Sequence, residues 1–480
     1  MVDVTIIGCG VIGAAAAYTL SRYDLKVTVL EQHNDVSVGT TKANSAIIHA
    51  GYDPKPGSLM ARLNVEGNRM AGEIAEKLSV PFKRIGSLVL ALSPEELPHL
   101  QKLYAQGVAN GVPGLELLDA AQTLEREPNL SEQVCGSLWA PSAGVIDPWE
   151  YAIAMAETAV VNGVELRLGT RVTNIIPQAD SFTVETNRGT LQTRFLICAA
   201  GVEAAAVRGL VETPDYEIRP ARGEYYLLDR SEGETVHSVI FQCPNEKGKG
   251  VLVSPTVHGN LIVGPNAEPV SDIADCGVTA QGLADIGQTA KRSVPALNLG
   301  ATIRNFAGIR ANSDQDEFRI ERSERYPHLV DLAGMKSPGL SAAPAVAEYA
   351  LGLLAEAGLE LKEKENFCDT RSKIVFSELS DAERAELIAR EPAYGRVICR
   401  CQTVTEGEIL AALHSPIPPR SINAVKRRTM AGMGRCQGGF CSPRVHELIA
   451  RELGIDPLEV CLEDEGSELL TGETKTGGRA

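Results

Sequence analysis

The six residues Gly8-Cys9-Gly10-Val11-Ile12-Gly13 lie between an apolar run, Val4 to Ile7, and the alanine-rich stretch Ala14 to Tyr18. Strand, glycine turn and helix in that order predict a βαβ unit, because each glycine answers a separate steric demand. Gly8 permits the turn, Gly10 lets a pyrophosphate approach the amides of the helix N-terminus, and Gly13 brings helix against strand. A second strand follows and ends at Glu31, an acceptor for ribose hydroxyls. The front of the chain is therefore expected to bind a dinucleotide, and this fingerprint alone suits NAD and FAD equally.

The residues beyond Glu31 separate the two. Residues 39–53, "GTTKANSAIIHAGYD", are small and polar and then apolar, where a plain NAD-binding unit would enter another crossover helix. This pattern resembles the D-amino-acid-oxidase-like superfamily of FAD enzymes, as do "ICAAG" at 197–201, "RGEYYLL" at 222–228, "GNLIVGPNA" at 259–267 and "GMKSPGLSAAPAVAEYAL" at 334–351. The resemblance spans residues 1–365. It implies FAD contacts from Thr41, Asn44, Ser45, Val172, Gly201, Gly339, Leu340 and Ser341 in addition to Gly8, Gly10, Gly13 and Glu31. It also implies that the helix after "SPGL" points its positive end at the reduced flavin, with Ser341 as a cap and Pro344 in the first turn.

The expected architecture is α/β. FAD-binding segments fall at about 1–81, 148–214 and 331–365, and an antiparallel-sheet substrate domain is built from about 82–147 and 215–330. His49 in "SAIIHAGY" is the expected general base over the flavin, a covalent histidyl link and a core position being the other readings of a histidine in an apolar strand. Arg310 is expected to join it in catalysis. Arg222, Lys336 and Ser337 are substrate-anion candidates, and Lys247 and Lys249 in "PNEKGKG" are looser ones.

Residues 366–395 are charged and read as a linker with a short helix, and a separate unit begins at Arg396. That unit, 396–456, contains Cys399-Arg400-Cys401 and, later, Cys436 and Cys441 within "GRCQGGFC". Four cysteines suit zinc or a [2Fe–2S] cluster, although neither half has the C-x-x-C spacing usual for zinc. "C-x-C-x-x-V-T-x-G-E" and "R-R-T-x-x-G-M-G-x-C-Q-G-x-x-C" resemble the bacterioferritin-associated-ferredoxin-like [2Fe–2S] domain, and more closely the C-terminal part of anaerobic glycerol-3-phosphate dehydrogenase large subunits. The resemblance makes Cys399, Cys401, Cys436 and Cys441 the cluster ligands, with Arg400, Lys426, Arg427, Arg428 and Arg435 offsetting its negative charge. The following helix is expected to have Ser442 as its cap and Gly454 as its stop. Residues 457–480 are acidic, then polar, and read as a disordered tail.

A flavin takes two electrons from an alcohol and a tethered one-electron centre passes them on singly, which favours a dehydrogenase over an oxygen-reducing oxidase. The resemblance implies oxidation of sn-glycerol 3-phosphate, a small anionic hydroxy substrate, to dihydroxyacetone phosphate, with a redox partner subunit or other electron acceptor. The loop "MKSPGLSAAPA" is instead similar to that of L-2-hydroxyglutarate dehydrogenases, so a 2-hydroxy acid is the second reading. An electron-transfer or iron-mobilising module, and amine oxidation, are the readings of other classes. A net charge of −16 argues against nucleic acid as a partner. "VTIIGCGVIGAAAA" lacks the basic flank of a secretion signal and no run of eighteen apolar residues occurs. The expected location is cytoplasmic, with membrane contact only through a partner. The other seven cysteines are scattered and form no disulfide framework.

Overall fold

The computed structural model describes residues 1–244 and 250–472. The opening strand Val2–Ile7 pairs in parallel with Val27–Leu30 on one side and Gly189–Cys198 on the other. Glu165–Arg167 and Leu329–Ala333 extend the parallel sheet outward. The helix Val11–Leu20 is buried along its whole length, and its small alanine side chains let it pack closely against the helices Pro148–Val161 and Gly339–Glu356. A third helix, Leu59–Lys77, approaches Gly339–Glu356 at Gly67, where a Cβ would lie 2.2 Å from the Ser341 carbonyl oxygen. These contacts fix the N-terminal end of Gly339–Glu356 above the first sheet.

The second sheet contains Ser87–Ala91, Glu116–Asp119, Gly136–Ala140 and a set of strands from Ala221–Leu228 to Thr302–Arg310. It is antiparallel as expected, apart from Val239–Gln242, which runs parallel to Ser87–Ala91. The helix Ala280–Ser293 covers one face, burying Ile286 and Ala290 against Leu228, Val253 and Val263. One boundary moves. Arg319–Arg322 pairs with Leu329–Ala333 in the first sheet, so the substrate segment ends before residue 319 and not near 330.

The C-terminal unit folds around its own core of Val404, Ile409, Leu413, Val425, Val445, Leu448 and Ile449. A short hairpin, Val397–Cys399 with Val404–Thr405, precedes the helices Glu406–Leu413, Ile422–Thr429 and Ser442–Leu453. The last helix begins one residue earlier than expected, with Cys441 at its N-cap, and ends at Gly454 in the left-handed conformation.

Two segments differ from expectation. The linker carries its helix, Asp381–Arg390, but is also strapped to the first domain: Arg371 pairs with Glu150 and Glu157, and Lys373 with Glu150. The tail, expected to be disordered, is tied down as far as Glu468, which bridges to Cys461. The amides of Ile422 and Asn423 donate to the Cys461 and Leu462 carbonyls. Asp464 meets the His33 ring at 2.5 Å, and Glu463 accepts from Asn423 at 2.8 Å. Its acidic residues face cations and amide donors of the folded domains, which composition alone does not disclose.

Candidate active site and cluster site

The glycine turn is as tight as the fingerprint requires. A Cβ on Gly13 would sit 1.9 Å from the Gly8 carbonyl oxygen, and one on Gly8, at φ +98°, would sit 2.6 Å from that of Ala199. Gly10 provides no side-chain cap for the helix it precedes. The nearest atom to a Cβ there, at 3.2 Å, is the Thr41 hydroxyl oxygen, which accepts from the Val11 amide at 3.0 Å. Glu31 is buried and its two oxygens accept from the amides of Cys9 at 2.7 Å and His33 at 3.0 Å. Burial pushes its carboxyl up while those amides oppose the shift. Each oxygen retains a lone pair for a ribose hydroxyl. The Ser37 hydroxyl, whose backbone amide bonds to Cys9, is buried with no partner among the described residues. An open helix end, a buried carboxylate and an unpaired hydroxyl are the features an adenine dinucleotide fits.

Beyond the turn, Asn44 holds its segment in shape by donating to the Thr41 carbonyl at 2.8 Å and accepting from the Ala46 amide at 2.8 Å. The Ser45 hydroxyl meets the Tyr225 hydroxyl at 3.3 Å. Val172 lies half-buried on an edge strand beside Ile7 and Leu30, and Gly201 takes φ +58° just after the strand Gly189–Cys198. The helix Gly339–Glu356 has Pro338 at its N-cap, so Ser341 lies inside the first turn and Pro344 beyond it, not at the cap and first-turn positions expected. The Ser341 hydroxyl instead ties the helix to the flavin segment, accepting from the His49 amide at 2.7 Å and donating to the Ile47 carbonyl at 3.3 Å. Gly339 and Leu340 share that first turn, where amides have no helical partner.

His49 is half-buried, and its Nε2 lies 3.1 Å from the Ser337 hydroxyl. Its ring stacks on Phe241 with centroids 5.8 Å apart, and its carbonyl accepts from Asn68 at 3.0 Å. Phe241 has no sequence signal, because only the second sheet brings it near. Arg310, at the end of the strand Thr302–Arg310, donates to the Asn266 carbonyl at 3.1 Å and forms no ion pair among the described residues. The other cations are committed. Arg222 pairs with Asp275 at 2.7 Å and with Glu224 at 3.3 Å, and Lys336 pairs with Asp316. Lys247 and Lys249 lie outside the described residues.

The four cysteines from the two ends of the C-terminal unit come together. Cys401 Sγ is 3.8 Å from that of Cys399 and 3.9 Å from that of Cys436. A hydrogen bond shared with the Cys441 thiol lowers Cys399 to about 5 and raises Cys441. Gly434 makes room, since a Cβ there would be 2.5 Å from Cys401 Sγ. Among the described residues no group of three or more His, Cys, Asp or Glu side chains is gathered to hold a single metal ion. The four thiols together supply the four thiolates that a [2Fe–2S] centre takes.

The cations expected around the cluster mostly serve another purpose. Arg427 donates to Asp35 at 2.8 Å, and Arg428 donates to both of its oxygens at 2.9 and 2.8 Å. Burial alone would raise the Asp35 carboxyl, but Arg428 and Arg427 hold it below the usual range. Arg435 makes a bidentate pair with Asp229 at 2.7 and 2.8 Å, which lowers Asp229 to about 2. These arginines dock the C-terminal unit onto the other two domains. Lys426 is largely desolvated and lowered to about 7, with Arg304, Arg427 and Lys42 adding to the effect of burial.

Residues 3–353 match the family model described as FAD dependent oxidoreductase, and residues 397–451 that described as BFD-like [2Fe-2S] binding domain. A glycerol 3-phosphate dehydrogenase of Caloramator mitchellensis is 49% identical over 477 residues, covering 99% of each chain. The L-2-hydroxyglutarate dehydrogenase of Caenorhabditis elegans is 32% identical over 276 residues, covering 55% of this chain and 63% of its own. Among solved structures, the dithionite-reduced L-alpha-glycerophosphate oxidase of Mycoplasma pneumoniae with FAD bound superposes with a TM-score of 0.73 at 34% identity, covering 77% of this chain and 98% of its own. The fold, the glycine cradle and the paired thiols agree with these matches, and the chain belongs to the FAD-dependent oxidoreductase family, with FAD and a [2Fe–2S] cluster as its cofactors.

Proposed function

We propose that the protein is a dehydrogenase that oxidises sn-glycerol 3-phosphate to dihydroxyacetone phosphate and delivers the electrons singly, through its C-terminal domain, to an acceptor other than oxygen. The observation that carries this reading is the 49% identity, across 99% of both chains, to a protein named glycerol 3-phosphate dehydrogenase. When bound, FAD supplies a two-electron acceptor and the cluster a one-electron one.

The chain's own residues supply the rest. His49 takes the proton of the secondary hydroxyl at Nε2, where the substrate hydroxyl replaces the Ser337 hydroxyl that stands 3.1 Å away. The Phe241 ring restricts the imidazole from the side. Arg310, the candidate cation with no carboxylate partner among the described residues, binds the phosphate. The first turn of Gly339–Glu356 stabilises negative charge on the flavin side of the site. Gly8, Gly10, Gly13, Glu31 and Thr41 hold the dinucleotide, and Cys399, Cys401, Cys436 and Cys441 hold the cluster.

A 2-hydroxy acid remains the second reading, supported by relatives of that name that align with 55% of this chain. The two are separated by anaerobic mixing with each substrate in turn. Glycerol 3-phosphate should bleach the flavin absorbance and L-2-hydroxyglutarate should not; the reverse outcome would replace the first reading with the second.

A further inference from the structure

The loop bearing Cys436 and Cys441 has an inner and an outer face. On the inner face, Arg435 and Gln437 reach the second sheet, pairing with Asp229 and Arg304. On the outer face stands Phe440, beside Cys441 and 85% exposed, more than any other large apolar side chain among the described residues. Cys401, the exposed member of the cysteine set, belongs to the same rim. Arg400, between Cys399 and Cys401, is exposed and forms no ion pair among the described residues, while Arg444 on the helix after Cys441 pairs with Glu447 alone. An unburied aromatic ring, an exposed thiol ligand candidate and exposed guanidinium groups thus gather where the cluster site meets solvent.

We propose that this outer edge docks an acidic one-electron carrier protein, with Phe440 as the apolar anchor and Arg400 and Arg444 meeting carboxylates on the carrier. Charge selects both occupant and place: a chain of net charge −16 repels an acidic protein over most of its surface, so exposed cations at the cluster edge steer it there. Each encounter oxidises the cluster by one electron and reduces the carrier by one, with no bond made and no proton passed between the proteins, any proton the carrier needs coming from solvent. Two encounters remove the electron pair of one substrate. A small rim with one aromatic anchor is the type of interface that transient redox partners use. The proposal rests on the reading above that electrons reach the cluster, and the test keeps the two apart.

Holoenzyme reduced anaerobically with dithionite and desalted is mixed with oxidised acidic flavodoxin as the probe, so that the carrier step is observed whatever the substrate is. The second-order rate should fall with added salt in the wild type. It should fall about tenfold in Phe440→Ala and, independently, in Arg444→Glu, with cluster absorbance and iron content unchanged. Variants that react at the wild-type rate, or a reduced wild type that does not react, would overturn the proposal. So would wild-type co-sedimentation with phosphatidylserine vesicles, lost in Phe440→Ala, without any flavodoxin reaction; that result would assign the edge to a lipid surface. If flavodoxin reacts as expected but glycerol 3-phosphate fails to reduce the cluster, the docking surface stands and the substrate reading falls.

Discussion

Replacing Asp35 with Asn tests how the cluster domain is held. Asp35 is fully buried, and Arg427 and Arg428 are each 3% exposed. The carboxylate accepts three charge-assisted bonds, at 2.8, 2.9 and 2.8 Å. In the variant Arg427 retains Glu463, whereas Arg428 keeps the carbonyls of Ala424 and Ile417 and one amide oxygen, and loses its directly paired carboxylate, with Glu150 and Glu157 acting on it only from a distance. Removing one partner of a buried pair costs about 3–5 kcal/mol. Because Glu463 remains, the low end applies, and about 3 kcal/mol corresponds to roughly a hundredfold in the docking equilibrium. The Asp35 carboxyl titrates below its unfolded value, so its contribution is complete above the ordinary carboxylate range and is lost as pH falls through the lower, folded value. The contact should therefore be constant from pH 5 to 8 in the wild type and fail in acid. Urea unfolding followed by cluster absorbance should show an earlier transition in Asp35→Asn, together with slower flavin-to-cluster transfer. A midpoint and transfer rate equal to wild type would refute the reasoning.

Other perturbations address the two sites. Gly13→Ala places a methyl 1.9 Å from the Gly8 carbonyl oxygen, so the purified protein should lack FAD absorbance while wild type carries one FAD per chain. His49→Ala should retain FAD and slow anaerobic flavin reduction by about 100-fold, measured by stopped flow; an unchanged rate would return His49 to a packing role. Cys401→Ser should abolish the iron and acid-labile sulfide found at about two each in wild type. Flavin bleaching by substrate should persist in that variant while turnover with a protein acceptor collapses.

The features legible in the sequence are those whose physics is local. Gly13 is dictated by a contact within one turn, with the Gly8 carbonyl, Gly8 also by its positive φ, and the spacing of Glu31 follows from one strand and one helix. The segment around His49 and the helix after "SPGL" are each legible only as family patterns, and the structure adds the Ser341 and Ser337 contacts that join them. What composition concealed is long-range charge pairing. The acidic tail reads as disordered, yet Asp464 meets His33 across most of the chain and Glu463 meets Arg427 within the C-terminal unit. Arg222 looked available for a substrate until Asp275 and Glu224 were found to hold it. The basic run Lys426-Arg427-Arg428 looked destined for the cluster because the cysteines are near in sequence, whereas Asp35 is near in space. No helix among the described residues is long and apolar enough to cross a bilayer.

On the proposed function, one chain takes a pair of electrons from glycerol 3-phosphate and passes them on singly through the domain held by Asp35 and Asp229. Anaerobic addition of glycerol 3-phosphate to the holoenzyme, followed at once by flavin absorbance and by electron paramagnetic resonance of frozen samples, tests it directly. Bleached flavin together with the signal of a reduced [2Fe–2S] centre is the expected result. A bleached flavin with a silent cluster, or no bleaching by glycerol 3-phosphate at all, would contradict it.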